Sequence, residues 1–359
     1  MENLITYIGN KRALLGFLNR GIEKVKKSLN KSKLVCLDGF AGSGAVSRLM
    51  KYHSVDLTSN DLELYSYIVN KCYLANKSSL DLPRIERIIN GLNNRLNGGL
   101  EEGFIAKNYA PADDGDIRPG ERVFYTRRNA MALDTLKTFI YKNIDGAERH
   151  FYLAPLLVAA SVHNNTSGVF KGFHKKDGIG HFGGRGENAL ARILRPITLR
   201  MPIFGDCECG VNVLQKNVND LVKESKEYDL AYYDPPYNQH PYGSNYFMLN
   251  ILAAPEKEIP IQNGVSGIAK NWNRSDYNKR GPAVEAMDDL IKNTKSKYIL
   301  ISYNNEGIIP FDTFRRILEK YGAAEIMTMD YNTYRGCRNL RGRSKKVKEL
   351  LWILKRSRI

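Results

Sequence analysis

The sequence predicts an α/β protein: a doubly wound, mostly parallel sheet interrupted by a mainly helical insertion. Three observations predict it. The first 77 residues alternate strand-like and helix-like runs around a glycine-rich turn. The alternation then stops for more than a hundred residues, and it resumes near residue 202 and runs towards the C-terminus. Strand–turn–helix–strand–helix is the opening of a doubly wound sheet.

In chain order, residues 12–29 place Leu14, Leu15, Leu18, Ile22, Val25 and Leu29 at helical spacing. Leu34-Val35-Cys36-Leu37-Asp38 reads as a short buried strand, Gly39 to Gly44 as a turn and Ala45 to Tyr52 as a helix. Val55 to Ser59 reads as a second strand, followed by a helix from about Leu62 to Ala75. Past residue 77 the pattern changes. Residues 80–97 are helical in spacing, 98–128 are rich in Gly, Asp and Arg, 130–162 hold two helical segments, and 163–188 are polar and glycine-rich. The expected division is 1–77 with 196–359 as one domain and 78–195 as an inserted one. Later strands are expected at Pro202–Asp206, Asp229–Tyr233, Tyr298–Ser302, about 324–330 and about 349–354. Residues 238–281 form a long polar excursion, and a loop of that length in a compact domain is usually functional.

Composition narrows the class. With 359 residues, 43% of them hydrophobic, the chain can bury a substantial core. A net charge of +16 and 21 Tyr point to an acidic, ring-stacking partner such as nucleic acid. Five scattered Cys exclude a disulfide framework, and Cys207-Glu208-Cys209 is too tight for the usual zinc pair. No secretory signal and no apolar run of membrane-spanning length occur, so a cytoplasmic protein is expected.

The most informative residues are Asp234-Pro235-Pro236-Tyr237, which follow the strand Asp229–Tyr233. Two prolines fix φ and lack donors, which leaves carbonyls to accept bonds from outside the chain. Asp234 adds a carboxylate and Tyr237 a flat ring, a combination suited to a planar amine such as that of a nucleobase. A rigid turn without ligand is the plainer reading, since Asp and Pro are common turn residues. The turn Asp38-Gly39-Phe40-Ala41-Gly42-Ser43-Gly44 lets backbone approach a ligand at a helix N-terminus. It lacks the full dinucleotide fingerprint and the P-loop lysine, which weakens a phosphate reading and leaves a carboxylate-bearing cofactor or a bare turn. Asp61 stands where such folds place a ribose-binding carboxylate and is equally suited to capping the next helix.

In order, Tyr7-Ile8-Gly9-Asn10-Lys11-Arg12, the glycine turn, Asp61, Asp206 and Asp234-Pro235-Pro236-Tyr237 resemble an N6-adenine DNA methyltransferase of the α-class, to which Dam-type and FokI-type modification enzymes belong. In that class the cofactor motifs come first, a target-recognition domain is inserted, and the catalytic motif follows. The roughly 190 residues between the glycine turn and Asp234 match that arrangement, and the resemblance covers nearly the whole chain. It implies a Rossmann-like S-adenosylmethionine-dependent methyltransferase sheet. It implies that Tyr7, Gly9, Lys11, Asp38, Phe40, Ala41, Gly42, Ser43 and Gly44 surround the methionine end of that cofactor. Asp61 would hold its ribose, and Asp206, ending a strand, would meet its adenine amine. Asn10 departs from the pattern, because many relatives carry a second Gly there.

The resemblance also assigns catalysis. The target adenine must leave the duplex, because its amine is paired and stacked inside. Tyr237 would stack on the flipped base, while Asp234 and the Pro235 carbonyl, held rigid with Pro236, would accept from the amine. No metal is implied.

Partners follow with less specificity. The run 334–348 carries Arg335, Arg338, Arg341, Arg343 and Lys345 among seven basic residues and no acid, and reads as phosphate contacts or as a solvated hairpin loop. The segment His163–Lys176, with Asn164, Ser167, Lys171 and Lys175, reads as a base-reading loop or as a surface loop. Double-stranded DNA is the expected partner, with a cognate restriction endonuclease alongside and the chain acting as a monomer. The competing readings are an RNA adenine N6-methyltransferase and a non-catalytic DNA-binding specificity subunit. A protein glutamine methyltransferase would carry Asn where Asp234 stands.

Overall fold

The strands of the main sheet are β1 (Leu34–Asp38), β2 (Ser54–Asp61), β3 (Gly210–Gln215), β4 (Tyr228–Tyr233), β5 (Ser296–Asn304), β6 (Gly322–Asn332) and β7 (Lys346–Arg356). A computed structural model describes residues 5, 11–187, 189–305, 307–332 and 346–357. The spatial order is β3-β2-β1-β4-β5-β7-β6. The first five strands in that order pair in parallel, and β7 runs antiparallel to both β5 and β6. The order reverses direction between β1 and β4, where Cys36, Leu37 and Asp38 face Leu230, Ala231 and Tyr232. In such sheets, ligands bind outside the carboxyl ends of the strands at that reversal.

Burial explains which strands the sequence reveals. Every residue of β4 is buried, and β5 is buried from Tyr298 to Tyr303, so both read as hydrophobic runs. Strand β3 pairs only with β2 at the sheet edge and alternates exposed and half-buried residues, so Gly-Val-Asn-Val-Leu-Gln carries no such run. The expected strand Pro202–Asp206 does not form: residues 201–209 are irregular, and the third strand starts at Gly210. Pro202 cannot donate to a ladder.

Helices cover the sheet. Leu15–Leu29 buries Leu18, Ile22 and Val25 and ends on Asn30 in the left-handed region. Ala45–His53 and Leu64–Tyr73 follow β1 and β2. Val218–Glu224, Arg280–Asn293 and Phe311–Glu319 complete the set. Beside the catalytic end, Tyr303 stacks on Phe314 at 4.7 Å between ring centroids, and Phe314 lies 5.4 Å from Trp352. Among the described residues no helix is long and apolar enough to cross a membrane.

The chain divides into two compact units. The sheet and its helices form one, made of Asn10–Asn70, Gly205–Pro241 and the residues from Arg274 onward. The other contains Lys71–Phe204 together with Tyr242–Asn273, a segment that the sequence groups with the catalytic half. This second unit is helical, with Leu82–Arg95, Phe104–Tyr109, Arg127–Asn143, His150–Val162 and Phe247–Ala253. Its centre is aromatic: Tyr109, Phe124, Phe170 and Phe247 meet at 5.8–6.4 Å. Buried Asp134 accepts from the N–H groups of Gly103, Ile105 and Ala106 and so caps the helix Phe104–Tyr109. Lys137 Nζ donates to the Ile251 and Glu256 carbonyls at 2.7 and 2.9 Å, which ties the segment after Tyr242 into this unit. The segment 238–281 is therefore not one loop, because the apolar run Phe247–Ala253 is a buried helix.

Candidate active site

The carboxyl ends of β1, β2 and β4 converge through backbone bonds. Gly39 N donates to Tyr232 O at 3.0 Å, and Ala41 N to Asn60 O at 2.9 Å. Asn60 is a buried cross-brace: its Nδ2 donates to the Gly39 and Lys216 carbonyls, and its Oδ1 accepts from Lys216 N. The turn closes through Gly42 and Gly44, at φ of 50° and 76°. A Cβ on Gly44 would come 2.5 Å from Asn70 Oδ1, and one on Gly39 would meet the Tyr233 ring at 2.6 Å. Only glycine fits both positions without rearrangement. The Gly42 carbonyl is held from the other side by Ser66 Oγ at 2.7 Å.

Two carboxylates sit in this turn. Asp38 is fully buried, and its Oδ2 accepts from Ser47 Oγ at 2.6 Å. Its Oδ1 has no hydrogen-bond partner among the described residues. Burial pushes the Asp38 carboxyl up to about 7, the Ser47 bond opposing and the charges of Asp234 and Asp61 adding to the rise. Asp61 accepts from Gly42 N at 2.7 Å through Oδ2 and from Glu63 N at 2.9 Å through Oδ1. It thus pins the glycine turn to the start of the helix Leu64–Tyr73. Burial raises its pKa, and the backbone donors counter that.

The quartet Asp234–Tyr237 follows β4 directly. Lys11, in a short helical turn ahead of Leu15–Leu29, is buried with its Nζ 3.2 Å from Asp234 Oδ1 and 3.9 Å from Glu349 Oε2 on β7. The contact with Asp234 is an ion pair that falls short of full hydrogen-bond geometry, which leaves the buried Asp234 Oδ1 with acceptor capacity. The Lys11 ammonium also lies 5.4 Å from the centroid of the Tyr237 ring. Burial raises the Asp234 carboxyl to about 6; Lys11 pulls it down and Glu349 pushes it up. The same anions hold the Lys11 pKa above its ordinary value despite burial. The ion pair with Lys11 favours the ionised form of Asp234. The Tyr237 carbonyl accepts from Ile308 N at 3.0 Å, and its ring meets that of Tyr303 edge-on at 6.2 Å. Pro235 is buried and Pro236 half-buried.

The predicted residues divide clearly. Lys11, Asp38, Phe40, Ala41, Gly42, Ser43, Gly44, Asp61 and Asp234–Tyr237 occupy one end of one sheet, as the strand directions require. Phe40 stands edge-on to Tyr233 and Tyr277 at 6.2 and 5.3 Å. Asp206 is a correction: it precedes β3, and β3 runs parallel to β2, so Asp206 stands beyond the opposite end of the sheet from Asp61. The expectation failed because it rested on a strand at 202–206 that is not there. Tyr7, Gly9, Arg335, Arg338, Arg341, Arg343 and Lys345 lie outside the described residues.

In the helical unit Asn164 is also a correction. It is buried, its Nδ2 donates to the Ser161 carbonyl at 2.6 Å, and its Oδ1 accepts from Thr166. Its amide holds the turn after the helix His150–Val162 and is withdrawn from base readout. Ser167, Lys171 and Lys175 are exposed, and Lys175 Nζ lies 5.1 Å from the Phe173 ring. Sequence reasoning missed Ser47, Asn60, Ser66, Asn70 and Glu349. Each is a buried polar residue with a partner on another element or turn, which no local pattern marks.

Comparison with known proteins agrees with this geometry. The profile of the D12 class N6 adenine-specific DNA methyltransferase family matches residues 7–317. The chain is 30% identical over 341 residues to the type II methyltransferase M.NlaIII of Neisseria lactamica, covering 92% of each. It is 31% identical over 369 residues to the modification methylase StsI of Streptococcus sanguinis, covering 98% of this chain and 52% of that protein. It is 27% identical over 345 residues to the type II methyltransferase M.CviAII of Paramecium bursaria Chlorella virus 1, covering 93% of each. It thus spans nearly all of two of these relatives and about half of StsI. The matched span holds the glycine turn, Asp61 and the Asp234–Tyr237 quartet, and the chain belongs to the D12 class N6 adenine-specific DNA methyltransferase family.

Proposed function

We propose that this chain is a site-specific DNA methyltransferase that moves a methyl group from S-adenosylmethionine to the N6 amine of an adenine flipped out of double-stranded DNA, as the modification partner of a restriction endonuclease. The observation that carries the reading is Asp234: a half-buried carboxylate one residue past β4, paired with Lys11 and with a buried Oδ1 whose acceptor position is unused, three residues ahead of the Tyr237 ring.

The residues fit the cofactor. Asp38 Oδ1 is a buried acceptor without a partner, suited to an ammonium, and the glycine turn leaves backbone open to close approach. Among the described residues, Asp61, Asp234 and Glu349 outnumber the Lys11 ammonium at these strand ends, which favours a cation. When bound, S-adenosylmethionine supplies a methyl group on a positively charged sulfur. Asp61 stands at the carboxyl end of β2, where it would meet the ribose hydroxyls.

The rest of the chemistry belongs to the chain. Asp234 and the Pro235 carbonyl accept from the two amine hydrogens of the flipped base. Those bonds draw the nitrogen away from planarity and aim its lone pair. The Tyr237 ring fixes the plane of the base, and the rate gain comes mainly from positioning. Exposed Lys171 and Lys175 serve as phosphate contacts. The protein works as a cytoplasmic monomer.

The test uses the purified protein, duplex DNA and radiolabelled cofactor, with long-read sequencing of genomic DNA from expressing cells scored for modified adenines. Asp234→Ala binds cofactor and does not methylate. Near-normal turnover by that variant, or methyl groups recovered only on RNA or cytosine, would overturn the proposal.

A further inference from the structure

Glu349 belongs to no motif, yet it reaches the centre of the site. It lies on β7, in register with Asn304 of β5 on one side and Met329 of β6 on the other. It is 8% exposed, in a strand otherwise buried from Leu350 to Leu354 by apolar side chains. A carboxylate there is costly unless it meets a cation, and the cation it meets is Lys11 at 3.9 Å.

Lys11 is held between two anions. Attraction falls inversely with distance. With Asp234 at 3.2 Å and Glu349 at 3.9 Å, the pull of Glu349 is about four fifths that of Asp234. The face of Tyr237, 5.4 Å away, draws the same ammonium. Lys11 is near enough to neutralise Asp234, yet Oδ1 keeps acceptor capacity, because no hydrogen bond of full geometry reaches it.

We infer that Glu349 is a positioning residue that tethers the Lys11 ammonium beside Asp234, so that Lys11 keeps Asp234 charged without occupying the oxygen that the target amine needs. The inference rests on the reading of Asp234 as the amine acceptor. Without the tether the ammonium swings onto Asp234 Oδ1 and competes with the substrate for it. Lys11 then blocks the site it now supports.

The test is Glu349→Gln, which keeps shape and removes charge, with Glu349→Asp as the charge-preserving variant and Asp234→Asn alongside. Methyl transfer is measured in single turnover against pH, together with KM for cofactor and for duplex DNA. The groups facing Asp234 are Lys11 from the N-terminal turn, Glu349 from β7, Asp38 from β1, and Tyr232 and Tyr237 from its own segment. Only the Glu349 charge changes. Losing a like charge and gaining a closer ammonium both lower the Asp234 pKa, so the acid limb of the rate profile moves to lower pH. The expected result is a fall in the transfer rate of roughly tenfold or more, KM values within about twofold, and partial recovery in Glu349→Asp. A Gln variant with wild-type rate and pH profile overturns the inference. So does one that loses rate and cofactor binding together with no recovery in Glu349→Asp, which marks a purely structural role. Turnover by Asp234→Asn would instead sink the underlying assignment of the amine acceptor.

Discussion

Asp38→Asn separates what the fold prefers from what the site requires. In the protein without cofactor, burial raises the Asp38 carboxyl from 3.8 to about 7. Below 3.8 the group is protonated whether the chain is folded or unfolded and has no effect. As pH rises from 3.8 towards 7 the unfolded chain releases a proton that the folded chain retains, so stability is lost across that window and stays lost above it. At about 1.36 kcal/mol per pKa unit the penalty is about 1 kcal/mol at pH 4.5 and about 4 kcal/mol at pH 8. Asparagine removes the titration. It also brings a fixed cost, a buried amide donor where Oδ1 had no partner, but that cost is the same at both pH values. The variant-minus-wild-type stability should therefore swing by about 3 kcal/mol in favour of the variant between pH 4.5 and pH 8. With an unfolding entropy of about 2.1 cal/mol/K per residue, that is a relative Tm shift of about 4 °C if the chain melts as one, and about twice that if the catalytic unit melts alone. Scanning calorimetry at the two pH values reads the swing, and titration calorimetry with S-adenosylmethionine should show affinity falling at least tenfold. A pH-independent Tm difference, or unchanged cofactor affinity, refutes the account of Asp38.

Two further outcomes follow from the geometry. Gly44→Ala forces a side chain to φ of 76° and drives a Cβ to 2.5 Å from Asn70 Oδ1; a loss of about 2–4 kcal/mol in urea unfolding, with weakened cofactor binding, is expected from the strained backbone and the displaced amide. Tyr237→Ala should cut kcat/KM for DNA by roughly 5- to 150-fold, the worth of one base–ring stack, and leave the cofactor dissociation constant unchanged, while Tyr237→Phe keeps most activity; equal losses in both variants would assign the role to the hydroxyl instead.

Much of the catalytic half was legible because its signals are local. Leu34–Asp38 and Asp229–Tyr233 lie in the centre of the sheet, so each is a continuous apolar run, and each is followed at once by its functional turn. The register of β1 on β4 then places Asp38 and Asp234 at one end of adjacent strands, which the order of motifs anticipated. The edge strand was not legible, because Gly210–Gln215 needs no apolar pattern to pair with β2 alone, and the error carried Asp206 to the wrong end of the sheet. Asn164 misled for a different reason. An amide in a polar, glycine-rich stretch looks available to a ligand, yet here it satisfies the end of a helix. Glu349 could not be found from sequence at all, since its partner Lys11 is 338 residues away.

The proposed function asks different things of the protein's surface and of its site. The chain as a whole carries +16, which draws duplex DNA to it from a distance and holds phosphates at the surface. Around Asp234 the described residues bring carboxylates together: Asp234 and Glu349 flank the buried Lys11 ammonium, and the charges of Asp234 and Asp61 reach Asp38. A phosphate would be repelled from that end of the sheet, whereas an uncharged base whose amine offers two hydrogens is attracted to it. Within that anionic end the Lys11 ammonium has to be near enough to keep Asp234 ionised and far enough to leave its oxygen open, and at 3.2 Å without a hydrogen bond of full geometry it meets both conditions.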